Sequence, residues 1–177
     1  MKNKLLLLII GLLTCTLSYG QTESSNFSRN NAYLELLGNG GLYSINYERI
    51  VVQNFALRLG FGAWKSIGLF GAGDKSFVTV PILGNFLFGK KNSKFEVGAG
   101  FLFGREKEYS TSFNPNSNKS SSIFNLTGVI GYRYQPSTAG LMFRVGLTPF
   151  YALTGGEDAY PESGLTLSGG LSIGYNF

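Results

Sequence analysis

The stretch GLTLSGGLSIGYNF, residues 164–177, decides how the rest of the chain is read. Its odd positions are Leu165, Leu167, Gly169, Leu171, Ile173, Tyr175 and Phe177, all apolar or Gly. Its even positions are Gly164, Thr166, Ser168, Gly170, Ser172, Gly174 and Asn176, all small or polar. A period of two is the signature of a strand, because successive side chains point to opposite faces. Half-buried strands of soluble domains usually stop at about 5–6 residues. A longer strand with an unbroken apolar face and a terminal aromatic ring suits one that has hydrocarbon on one side and a filled interior on the other.

The opposite end of the chain reads as a secretory signal peptide over residues 1–20. Lys2 and Lys4 form the basic region, Leu5 to Leu13 the apolar region, and Ser18, Tyr19 and Gly20 precede the polar Gln21. The apolar run falls short of the ~20 residues of a membrane-spanning helix. Cys15 raises a second reading, a lipoprotein acylation site, which Thr14 before it and the apolar residues after it fit poorly. Residues 21–31 are polar and expected to be a flexible lead-in, and residues 32–177 form one domain by length.

The formal charge of the whole chain is +5, and Lys2 and Lys4 leave with the leader, so little remains to attract nucleic acid. Cys15 is the only cysteine, and there is no histidine. The 25 glycines, 15% aromatic and 14% charged residues depart from an average soluble domain. Without a second long apolar run, insertion into a membrane would have to be by strands.

Eight alternating segments follow: 32–38, 42–51, 55–65, 76–89, 94–105, 121–134, 141–152 and 164–177. Connections after the second, fourth and sixth are short, whereas those after the third, fifth and seventh run to roughly a dozen residues, the asymmetry of outer-membrane barrels. The first outer connection, Asn39–Gly41, is unusually short. The expected fold is therefore all-β, an eight-stranded antiparallel up-and-down transmembrane β-barrel. Parity assigns to lipid Tyr43, Ile45 and Tyr47; Phe55, Leu57, Leu59 and Phe61; Val78, Val80, Ile82, Phe86 and Phe88; and Val97, Ala99, Phe101 and Phe103. Later strands add Phe124, Leu126, Ile130, Tyr132 and Tyr134, then Leu141, Phe143, Val145 and Leu147. The opposite faces carry Gly, Ser, Thr and Asn together with Glu35, Glu48, Arg58, Glu96, Arg133 and Arg144.

On these segments the chain resembles the small outer-membrane β-barrels of Gram-negative bacteria, similar to the outer-membrane protein A and X barrels. Its end, Tyr175-Asn176-Phe177, matches the family's hydrophobic-x-aromatic assembly signal, while Ser172 and Gly170 match the earlier positions loosely. The resemblance implies recognition of Tyr175 and Phe177 by the barrel assembly machinery, lipids of the outer membrane as surroundings, and an outer-membrane location.

Glu48 and Arg58 fall on neighbouring strands, as do Glu96 and Arg133, with Arg144 on the next. A lumenal ligand site is one reading; a structural ion-pair network filling a narrow barrel is favoured, since buried charges need partners and eight strands enclose just enough room for side chains. A porin-like aqueous channel is disfavoured. Gly68–Ser76 imitates a phosphate-binding loop, but Asp74 interrupts the spacing and a strand follows in place of a helix. Glu157, Asp158 and Glu162 lack the spacing of a calcium loop, and Asn114–Ser122 reads as a surface loop. No catalytic, metal or cofactor site is expected: the family's enzymes resemble one another in using an active-site histidine, and none is present. The expected role is structural or surface-interacting, through loops at Lys65–Lys75, Glu106–Ser120 and Thr154–Ser163 and an unidentified extracellular partner. The alternative is a secreted or periplasmic lipocalin-like barrel that holds a small apolar ligand, with its large apolar residues inside.

Overall fold

The computed structural model describes residues 28–66, 75–109, 119–154 and 164–177. The signal peptide, residues 21–27 of the lead-in and most of the three long connections lie outside the described residues. Within them the chain forms one closed antiparallel barrel in sequential order. Its strands are β1 (Asn30–Leu36), β2 (Tyr43–Val52), β3 (Phe55–Ser66), β4 (Lys75–Phe88), β5 (Ser93–Glu108), β6 (Lys119–Tyr134), β7 (Gly140–Thr154) and β8 (Leu165–Asn176). β1 begins ahead of the expected Ala32, because Asn30 exchanges two backbone hydrogen bonds with Phe177, at 3.0 and 2.8 Å. β5 and β6 run beyond the expected ends, pairing as far as Glu108 with Lys119. Their tips are made of Ser and charged residues, so the hairpin continues where the apolar face has stopped.

Every large side chain assigned outward by parity does face outward. Phe55, Val80 and Phe124 are half-buried against neighbouring rings and strands, and the remainder are exposed. Leu34 and Leu36 extend this surface across β1, and Leu165 to Phe177 across β8. Phe124 stacks on Phe101 and Phe103, with ring centroids 5.6 and 5.1 Å away. This outward placement is the reverse of a lipocalin-like interior.

The lumen is filled in layers. Ile50, Ala56 and Leu87 form a small apolar cluster at the end that carries the short turns. The charged side chains come next. Towards the long connections, Trp64, Phe77, Leu102, Ile123 and Phe150 form a second apolar cluster, with Trp64 and Phe77 stacked at 5.3 Å.

Between the charged layer and the second cluster sits the connection from β1 to β2. Gly38, Asn39, Gly40 and Gly41 are buried, so this connection turns into the barrel and does not form an outer loop. That explains its shortness. Gly41 adopts φ +101°, and a Cβ there would lie 1.9 Å from the Trp64 ring; both facts require glycine. Leu37 turns the chain with φ 57°, a conformation uncommon for a residue with a Cβ.

At the seam where β1 meets β8, Tyr33 pairs with Gly174. A Cβ on Gly174 would approach Tyr33 Cβ to 2.2 Å and the Ala32 carbonyl to 2.4 Å. Gly174→Ala should therefore destabilise the folded barrel by about 1–3 kcal/mol through overpacking. Denaturant unfolding of the micelle-held protein, followed by Trp64 fluorescence, measures this.

Candidate functional site: the charged lumen

The six inward charges named from the sequence, Glu35, Glu48, Arg58, Glu96, Arg133 and Arg144, are all buried and come in equal numbers of each sign. They form an alternating chain, Arg58–Glu35–Arg144–Glu96–Arg133–Glu48, in which each neighbouring pair is a salt bridge. Alternation around a narrow lumen gives every charge at least one opposite neighbour in a space with little solvent, the condition for tolerating buried ions.

Arg133 is the most heavily engaged cation. Its Nη2 donates to Glu48 and Glu96 at 2.9 Å each, Nε donates to Glu96 at 3.1 Å, and Nη1 donates to Glu48 and to Gln135. Two carboxylates thus receive the planar fork from both sides, the geometry that guanidinium supplies and ammonium does not. Glu48 also accepts from Asn31 at 3.3 Å and from Asn85 at 2.9 Å. Glu35 joins Arg58 to Arg144 by accepting from each of them on a different oxygen. The Tyr33 ring lies close to both guanidiniums, with its centroid 5.4 Å from Arg58 and 5.2 Å from Arg144. Such contacts add cation–π attraction.

The inward-turned connection is tied into the same network. Arg58 Nη1 donates to Asn39 Oδ1 at 2.8 Å, and Asn39 Nδ2 donates to Thr127 Oγ1 and the Gly128 carbonyl at 2.7 and 2.8 Å. Thr79 donates to the Gly40 carbonyl at 2.6 Å. Asn46 accepts from Arg58 Nε at 2.9 Å.

Glu48, Arg58, Glu96, Arg133 and Arg144, named from the sequence, all stand in the lumen. Their connectivity follows strand adjacency in part: Glu96 and Arg133, on neighbouring strands, form a salt bridge that Arg144 joins, but no salt bridge links Glu48 to Arg58. Glu48 and Arg58 are register partners, as are Arg133 and Arg144. Neither pair is a salt bridge: Arg58 turns to Glu35, and the two arginines share Glu96. Long side chains reach across the lumen, so strand order does not dictate partners. Glu35, on the inward parity of β1, is the link that strand adjacency missed; Tyr33, Asn39 and Asn85 are the other omissions. Lys75, from the phosphate-loop imitation, lies on β4 and pairs with Glu106 at 2.9 Å. Residues 67–74, most of Asn114–Ser122, and Glu157, Asp158 and Glu162 lie outside the described residues. Tyr175 and Phe177 face outward on or beside β8.

No protein-family model matches the chain, and no curated protein matches it in sequence. Solved structures do. The N-terminal β-barrel domain of Pseudomonas aeruginosa OprF aligns with 88% of this chain and 100% of its own, at 16% identity and a TM-score of 0.62. Neisserial surface protein A (NspA) aligns over 88% of this chain and 98% of its own, at 14% identity and a TM-score of 0.57. At such identities the likeness is one of fold, and that fold is the small eight-stranded barrel of outer-membrane proteins.

Removing one member of the chain leaves an opposite charge buried without its partner. Glu48→Leu should destabilise the barrel by about 3–5 kcal/mol. Pairing it with Arg133→Met leaves Arg58, Glu35, Arg144 and Glu96 in balance, so the double variant should lose markedly less than the sum of the two single losses. A double-mutant cycle by denaturant titration tests both statements.

Proposed function

We propose that the chain is an integral outer-membrane barrel protein with a structural or surface-interaction role, carried by its three long connections, and that it has no catalytic activity. The observation that carries this reading is its inverted polarity. Leu, Ile, Val and Phe cover the outside, while Glu35, Glu48, Glu96, Glu106 and three guanidiniums are buried inside. Water offers no reason to expose such an apolar belt, and lipid does. Strands β2 to β8 are 10–16 residues long, enough for the ~9–11 that a tilted strand needs to cross a bilayer. Tyrosines stand near strand ends: Tyr47, Tyr132, Tyr134 and Tyr175 near the short turns, and Tyr43 and Tyr151 towards the other end. Such rings suit the headgroup level. The short turns would then face the periplasm and the long connections the exterior.

In this reading the lumenal ion chain is a strut that braces the wall and closes the bore. Cells making the full-length protein should yield it in the outer-membrane fraction, with gel mobility that shifts on heating. A soluble periplasmic product with unchanged mobility would overturn the proposal. In planar bilayers the protein should add no porin-sized conductance.

The same reading takes outer-membrane lipids as surroundings and the assembly machinery as partner in biogenesis. Tyr175 and Phe177 present adjacent outward rings at the end of the seam strand. Deleting Phe177 should reduce the heat-shifting form in cells, while the purified variant still folds from denaturant into detergent. Pulse labelling in cells alongside refolding in vitro separates a lost signal from a lost strand.

A further inference from the structure

The described carboxylates Glu35, Glu48, Glu96, Glu106 and Glu108 all occupy inward positions of their strands. The charges on the outward face are therefore cationic, and at the end of the long connections three of them gather on one wall. Lys65 on β3 is in register with Ser76 on β4, Ser76 with Lys107 on β5, and Lys107 with Ser120 on β6. One row below, Val78 is in register with Arg105, and Arg105 with Ser122. Lys65, Arg105 and Lys107 are exposed, and no described carboxylate forms a salt bridge with any of them. Two strand spacings separate Lys65 from Lys107 by about 10 Å, and Arg105 lies ~7 Å along β5 from Lys107.

Below these cations the wall changes character at once. Phe103 and Phe124 form a shelf of stacked rings, followed by Phe101 and Leu126. Then Ala99 and Gly128 face each other in register, and with so little side chain they leave an apolar concavity of about 540 Å³, rimmed by Val97, Phe101, Ile130 and Tyr151.

We propose that this wall binds a phosphorylated glycolipid of the outward-facing leaflet. Lys65, Arg105 and Lys107 take the phosphates, the interleaved Ser76, Ser120 and Ser122 meet sugar hydroxyls, and an acyl chain fills the concavity at Ala99 and Gly128. Charge complementarity selects the occupant. Three cations this close, with no salt bridge to a carboxylate among the described residues, suit a headgroup with more than one negative charge, and Arg105 can grip a phosphate with its planar fork. The proposal rests on the outer-membrane reading with the long connections outside.

The test titrates the detergent-held mature protein with bisphosphorylated lipid A, its dephosphorylated form and phosphatidylglycerol, read by native mass spectrometry. Each sample is also checked for the heat-dependent mobility shift, so a failure of the membrane reading is scored separately from a failure of the site. Lys65→Gln, Arg105→Gln and Lys107→Gln combined should weaken binding of bisphosphorylated lipid A about tenfold or more. Arg49→Gln, Lys90→Gln and Lys91→Gln combined, which remove the same charge at the other end, should leave it unchanged. Ala99→Phe, which fills the concavity without altering a charge, should also weaken it. Equal binding by the rim triple variant, by the dephosphorylated lipid or by phosphatidylglycerol would overturn the proposal.

Discussion

Charge neutrality inside a closed wall is the constraint on which the rest of this molecule depends. Along the apolar belt, ionised groups face inward, and inside they have little solvent to turn to. The alternating chain from Arg58 to Glu48 resolves this with partners drawn from six of the eight strands. Because every link except Glu96–Arg133 joins strands that are not neighbours, the ion pairs brace the wall in directions that backbone hydrogen bonds between neighbours cannot. The chain also demands asparagine and glutamine around it. Asn31, Asn39, Asn46, Asn85 and Gln135 satisfy lone pairs and N–H groups that the carboxylates and guanidiniums leave over.

The apolar layers at either side of the charged one follow from the same constraint. Ile50, Ala56 and Leu87 at one end, and the Trp64 cluster at the other, keep the ion pairs in a medium of low polarity, where their attraction is strong. The inward turn after β1 completes the enclosure: its peptide groups and Asn39 complete the hydrogen bonding of Arg58, Thr79 and Thr127. Four residues without bulk, Gly38, Asn39, Gly40 and Gly41, can pass through a bore that a larger loop would overfill.

Parity carried most of the fold into view. A period of two assigns each strand's face without knowledge of its partner, which is why the outward sets of β2 to β8 were legible. The buried charges were legible for the same reason. Their wiring was not, since an arginine's reach spans more than one strand spacing and nothing local tells Arg58 to choose Glu35 over its register mate Glu48. The inward turn was hidden too. Asn39-Gly40-Gly41 has the composition of any tight hairpin, and only the hydrogen bonds of distant Thr79, Thr127 and Arg58 reveal that it is buried. The tips of β5 and β6 escaped because Glu106, Lys107, Lys119 and Ser120 continue a strand through backbone pairing alone, after the alternation of apolar and polar residues has ended.

β1 is both the shortest strand and the one that leads into the inward turn. Its register with β8 runs from Asn31 to Leu36, and in that span it places Tyr33 and Glu35 against Arg58 and Arg144. The seam of the barrel and its cork are thus one continuous piece of backbone. Parting β1 from β8 pulls Glu35 away from Arg58 and Arg144 and draws Asn39 with it, so opening the wall and admitting water to the bore become a single cooperative event. A lumen filled only by side chains could hydrate without any strand letting go; this one is latched to its own closure.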